Sequence, residues 1–168
     1  DRRIAAFVIP QLLVFTSGVL EHTPDHRAMV GTLLQDARVA VVIREPQASP
    51  TLLDWLKELL PTAQATVIAH LKTPFYETLL HAHPKCGLHL PSTRDARLWR
   101  TRVSGPLGQS THQVSEAKAA FAAKCDYVTL SPMYRSISKP DDRRALITHA
   151  QLNEASTFGP VFALGGIT

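Results

Sequence analysis

Three patterns in this 168-residue chain join an apolar run to residues suited to binding an anion. The first is Gly108-Gln109-Ser110-Thr111-His112. The second runs from Asp126 through Ser131, Pro132 and Met133 to Tyr134. The third runs from Pro160 through Leu164, Gly165 and Gly166 to Ile167. Where parallel strands end together, loops and helix N-termini offer N–H groups, so the chemistry expected of such endings is phosphate binding. Gly165 and Gly166 let the backbone come close enough for its N–H groups to reach a phosphate. Arg44 ends a strongly apolar stretch, where a charge is costly unless it meets an anion or a carboxylate; a guanidinium fork suits both. Glu45 is expected to point the other way, as a structural partner.

The elements that must position these groups alternate regularly. Strands are expected over Leu12 to Phe15, Val39 to Ile43, Ala65 to Ala69, Gly87 to Leu90, Pro106 to Gln109, Tyr127 to Leu130 and Val161 to Leu164. The run Val39 to Ile43 is apolar throughout, which suits a strand buried on both faces. Helical spacing of apolar residues marks Pro24 to Asp36, Thr51 to Leu60, Tyr76 to Ala82, Arg94 to Arg100 and the alanine-rich Gln113 to Lys124. The stretch Arg135 to Arg144 is polar and broken by proline, and reads as a loop. Short buried strands alternating with helices mean an α/β protein with a parallel sheet. Seven such units point to a (β/α)8 TIM barrel in a single domain over residues 1–168. The chain stops just after the seventh strand, so the barrel is expected to be incomplete at its C-terminal end. His89, flanked by Leu88 and Leu90, would face the barrel interior, as a ligand contact or as a hydrogen-bonded core residue.

Bulk composition narrows the partners. The chain is 45% hydrophobic and 19% charged, with a formal net charge of +4, as for an ordinary globular domain. Its basic residues are scattered in short groups such as Arg2-Arg3 and Arg143-Arg144, which favours small anions over nucleic acid. The two cysteines, Cys86 and Cys125, form no zinc pattern and fit a reducing cytoplasm. No apolar run approaches the roughly 20 residues that span a bilayer, so no membrane partner is expected.

These residues resemble the thiamine phosphate synthase/TenI superfamily. The resemblance rests on Ile43-Arg44-Glu45, Gly87-Leu88-His89-Leu90-Pro91-Ser92, the Ser-Thr-His and Asp-Tyr-Val patterns, and the terminal Ala-Leu-Gly-Gly-Ile. In synthases of this superfamily, magnesium assists the joining of a pyrimidine pyrophosphate to a thiazole phosphate carboxylate. TenI relatives are thiazole tautomerases or have no established catalysis. The resemblance implies a pyrophosphate contact for Ser110, and phosphate contacts for Ser136, Ser138 and Lys139, which match a Thr-x-Thr-Lys loop. It puts His70 at a polar rim position.

Departures from the synthase pattern point to the TenI side. His70-Leu71-Lys72 stand where synthases end the third strand in Asn-Asp-Arg, and Pro91-Ser92-Thr93-Arg94 where they end the fourth in Gly-Gln-Glu-Asp. Leucine cannot ligate magnesium, which demands oxygen ligands. The tautomerase histidine is missing too, because Pro132 occupies its position. That leaves His70, His89 and His112 as candidate proton carriers, imidazole being the natural group near neutral pH. The expectation is a TenI-like protein that binds a thiazole phosphate or thiamine phosphate, as a metal-free tautomerase if catalytic. The alternatives are a magnesium-dependent synthase and a non-catalytic regulatory barrel. No metal ligands and no cofactor are expected outside the synthase alternative, and homo-oligomers are common for this barrel type.

Overall fold

The computed structural model describes residues 7–83, 85–135 and 141–167. Ser136, Ser138 and Lys139 therefore lie outside the described residues. The chain divides into two compact units: one runs to His89 and takes in Val103–Pro106, and the other comprises Leu90–Arg102 and everything from Leu107 onward.

The first unit carries strands β1 (Leu12–Phe15), β2 (Val39–Ile43), β3 (Thr66–His70) and β4 (Gly87–Leu90), with helices α1 (Pro24–Leu33), α2 (Pro50–Leu59) and α3 (Tyr76–Ala82) between them. Consecutive strands pair in parallel, with Val14 beside Val41, Val42 beside Ile68 and His70 beside His89. All five residues of β2 are buried, as its unbroken Val-Ala-Val-Val-Ile sequence requires of a strand covered on both faces. Pro24 and Pro50 open α1 and α2, where a missing N–H costs no intrahelical bond. Helix α1 ends three residues before the expected Asp36, because the amides of Gln35 and Asp36 fold back on the Thr32 and Leu33 carbonyls in tighter turns.

The second unit carries α4 (Arg97–Arg100), β5 (Leu107–Thr111), α5 (Val114–Ala122), β6 (Tyr127–Leu130), α6 (His149–Ser156) and β7 (Val161–Ala163). Strands β5, β6 and β7 pair in parallel, with Ser110 beside Thr129 and Thr129 beside Phe162. That register sets Gly108, Ser110, Tyr127, Thr129 and Phe162 on one face. The Tyr127 ring lies flat against Gly108, where an added Cβ would sit 2.0 Å from Cζ, and meets the Phe162 ring edge-on at 5.7 Å. Asp126 joins the start of β5 to the end of α4: its carboxylate accepts from Leu107 N at 2.7 Å and from Arg100 Nη1 at 2.8 Å.

Two boundaries and one whole element here differ from the sequence reading. Helix α4 starts at Arg97, because Asp95 accepts from the Arg97 amide and guanidinium and holds the preceding residues in a turn. Strand β5 runs on to Thr111, extended by its ladder with β6. Helix α6 has no counterpart among the expected elements. Its signal is a capping box: Thr148 Oγ1 accepts from Gln151 N at 3.2 Å and Gln151 Oε1 accepts from Thr148 N at 2.9 Å.

Candidate functional site

In the first unit the polar residues at the strand ends are buried and mostly bonded to one another. Glu45, 2% exposed, accepts from Gly18 N and Leu20 N at 3.1 Å each and so anchors the β1–α1 loop to β2. Thr73 Oγ1 accepts from Glu45 N and donates to Ile43 O, and Thr16 Oγ1 accepts from Arg44 N. Glu45 is thus the structural partner the sequence led one to expect. The Arg44 guanidinium is half-buried and has no hydrogen-bond or ion-pair partner among the described residues.

His70 and His89 stack with ring centroids 5.6 Å apart, and Phe15 meets His89 edge-on at 5.0 Å. Burial holds the His70 pKa down to about 4, with the nearby charges of Arg44 and Lys72 adding to the effect. Burial, then the neighbouring His70, takes His89 to about 3. Both imidazoles are neutral at pH 7. His70 Nδ1 accepts from Lys72 N at 3.0 Å, which puts the ring proton on Nε2. A group this reluctant to protonate is a poor base near neutral pH, and His70 is better suited to donating a fixed hydrogen bond than to carrying protons.

The strand ends of the second unit are more open. After β7 the backbone turns through two left-handed glycines, Gly165 at φ +98° and Gly166 at φ +67°. A Cβ on Gly166 would lie 2.6 Å from Arg135 O, so both the backbone angle and the close approach require glycine. The carbonyls of Leu164 and Gly165 accept from Met133 N and Tyr134 N. The amides of Gly165, Gly166 and Ile167 donate to no acceptor among the described residues.

His112 follows β5. Its Nδ1 lies 3.0 Å from Ser131 O and 3.3 Å from Ser131 Oγ, and its amide donates to Glu116 Oε2 at 2.7 Å. Arg144, a residue the sequence did not single out for function, reaches the same ring with Nη1 while Asp142 takes its Nε and Nη2. Ser110 lines a groove of about 480 Å3 between the Ser92–Arg97 stretch and the alanines of α5. Beside Ser110, the Thr129 hydroxyl is buried without a hydrogen-bond partner among the described residues.

The structure therefore stacks His70 with His89 in one unit and joins His112 to Ser131 and Arg144 in the other. The two loops at which synthases carry metal carboxylates do not offer a magnesium ligand set. After β3 stand Leu71 and Lys72, and Lys72 N is donated to His70. After β4 the nearest carboxylate, Asp95, is held bidentately by the Arg97 guanidinium.

Parallel strands in sequence order with helices between them define a protein of the TIM-barrel class. A solved structure, thiamine phosphate pyrophosphorylase from Pyrococcus furiosus, has the same fold, with a TM-score of 0.66 over 94% of this chain and 75% of that one at 20% identity. The family profile described as thiamine monophosphate synthase matches residues 13–168, and the chain belongs to that family, which includes the TenI proteins. Among curated relatives, a thiamine-phosphate synthase of Geobacillus thermodenitrificans is 38% identical over 88 residues, or 49% of this chain and 39% of that protein. A putative thiamine-phosphate synthase 2 of Aquifex aeolicus is 35% identical over 85 residues, 49% of this chain and 45% of the relative. The matched region thus spans less than half the length of either relative. Among the described residues no helix is long and apolar enough to cross a membrane.

Proposed function

We propose that this protein binds a thiazole phosphate or thiamine phosphate, with the phosphate on the backbone amides of the Gly165–Gly166 turn. The observation that carries this reading is the run of amides from Gly165 to Ile167 without acceptors among the described residues, just beyond β7 and formed by two left-handed glycines. Such a concave run of N–H groups is a ready anion site. Ser110, and the loop residues Ser136, Ser138 and Lys139, are proposed as further phosphate contacts. Arg44, whose half-buried guanidinium has no described partner, is proposed to take a carboxylate or second anion. The single match over residues 13–168 supports one domain, and a cytoplasmic location fits the two free, buried cysteines.

If the protein is catalytic, the chemistry proposed is proton transfer on a thiazole carboxylate without metal. His112 is then the favoured proton carrier, because His70 and His89 are held neutral by burial. The printed names of the relatives favour a second reading, pyrimidine transfer to give thiamine phosphate, although the loops after β3 and β4 do not fit its metal.

One assay separates the readings. The protein is given pyrimidine pyrophosphate and thiazole phosphate carboxylate with and without magnesium, while thiazole binding is followed by calorimetry. Thiazole phosphate binding without thiamine phosphate formation is expected. Magnesium-dependent product would establish the synthase instead, and no binding of either thiazole compound would sink the proposal.

A further inference from the structure

Three side-chain donors at the strand ends of the first unit have no acceptor among the described residues, and the fold gathers them. Ile43 lies beside Ala69 in the β2–β3 ladder and His70 beside His89, so Arg44 comes level with His70. One hydroxyl then locks the β3–α3 loop onto this edge. Thr73 Oγ1 donates to Ile43 O at 2.8 Å and accepts from Glu45 N at 3.1 Å, the residues on either side of Arg44. The backbone of Lys72, next to Thr73, is thereby held beside that of Arg44, and its amide donates to His70 Nδ1 at 3.0 Å.

The side chains themselves are left free. The Arg44 guanidinium is half-buried and Lys72 is exposed, and neither has an ion-pair or hydrogen-bond partner for its charged group among the described residues. Glu45, the carboxylate adjoining Arg44, is committed to Gly18 N and Leu20 N. Because His70 Nδ1 accepts, the ring proton is on Nε2. That nitrogen has no described acceptor and keeps some accessible surface, so a ligand can reach it. The His89 ring stacks on His70 from 5.6 Å and keeps the donor in place. Both cations act on this imidazole, since Arg44 and Lys72 add to burial in lowering its pKa. Two cations and an N–H, with the adjoining carboxylate turned elsewhere, offer nothing to a metal ion and attract an oxyanion.

We propose that Arg44, Lys72 and the Nε2–H of His70 form one subsite for a carboxylate or phosphate that arrives free of metal. This rests on the reading that Arg44 takes an anion, and adds to it the ammonium, the imidazole donor and the exclusion of magnesium. The guanidinium and ammonium neutralise the charge, while the imidazole donor adds direction. A magnesium complex of the same anion brings positive charge of its own and is disfavoured beside two cations.

The test is an NMR titration of the full chain with inorganic phosphate and, separately, with malonate, each in EDTA and with added magnesium. The signals followed are Arg44 Nε, His70 Nε2 and the Gly166 amide, the first two assigned through Arg44→Gln and His70→Gln. At least one probe is expected to move Arg44 and His70 together in EDTA, the one that does so naming the source of the oxyanion, and magnesium is expected not to tighten it. Lys72→Met is expected to weaken that response about tenfold or more, and Lys72→Arg to restore most of it. Lys72 is exposed, so neither variant threatens the fold. If Arg44 responds while His70 stays still, or Lys72→Met changes nothing, the subsite is overturned and the Arg44 reading stands. Tighter binding with magnesium overturns the exclusion of metal. If Arg44 ignores both probes, its anion reading fails together with the subsite, and the Gly166 amide still reports separately on the glycine turn.

Discussion

The two units use polar residues at their strand ends in opposite ways. In the first, Thr16, Glu45, Thr73, His70 and His89 are all buried, and the hydroxyls and carboxylate are spent tying loops to strands. In the second, Gln109, Thr111, Thr129 and Ser131 are buried too, but Ser110, His112 and the Gly165–Gly166 turn are half-exposed. Three consecutive amides lack described acceptors, and His112 is met by an arginine from a distant loop. Burial explains the difference. A buried polar group must be satisfied within the protein and is then unavailable, whereas a group at an open edge can leave its bond unmade until a ligand arrives. The first unit is built as a scaffold in which the Arg44 guanidinium has no partner among the described residues, and the second is the end we propose to receive an anion.

The largest expected consequence of that contrast is an acid instability located in the first unit. His70 and His89 titrate in the folded state near 4 and 3, against an ordinary value of 6.5. Below pH 6.5 the unfolded chain binds protons that the folded chain refuses, so stability is full above 6.5 and is lost as pH falls toward 4. Each imidazole contributes roughly 3 kcal/mol to that loss by pH 4. Urea denaturation of the full chain across pH 4 to 7 measures it, and the double variant His70→Asn with His89→Asn should flatten the slope. A slope unchanged in that variant would mean that the acid sensitivity lies elsewhere.

Gly108→Ala probes the packed face of the second unit. The new methyl collides with a fully buried tyrosine ring, so a cost of about 3 kcal/mol is expected. A cost below half of that in urea denaturation would show that the Tyr127 ring yields.

Gly166→Ala strikes the open end itself. It forces a left-handed residue against Arg135 O, costs about 1–2 kcal/mol of stability, and should weaken thiazole phosphate binding about tenfold or more. Calorimetry that finds wild-type affinity would remove the turn from the anion site. The mildest test is Thr129→Val, which deletes a buried hydroxyl without a partner among the described residues. It should be neutral or stabilise by up to about 1 kcal/mol, and a clear loss would reveal a partner for that hydroxyl.

Much of this was legible in the chain. The strands announce themselves as short apolar runs, above all Val39–Ile43, and the glycine pair after Val161–Ala163 marks its own turn. Helix α6 could have been read from Thr148 and Gln151, whose spacing is that of a capping box, but its sequence His-Ala-Gln-Leu-Asn-Glu-Ala-Ser is too polar to stand out by periodicity. Arg44 and the glycine turn were legible as anion contacts, but the difference among the histidines was not. Three histidines look equivalent as letters, and only burial separates His70 and His89 from His112.

By itself the sequence determined the family, the β/α order and the glycine turn, because these depend on local periodicity and on backbone angles that single residues permit. Tertiary structure decided which polar groups are satisfied and which remain available. The stack of His70 on His89, and the reach of Arg144 to His112, come from strand register and loop packing, which bring together residues with no local relation in the chain.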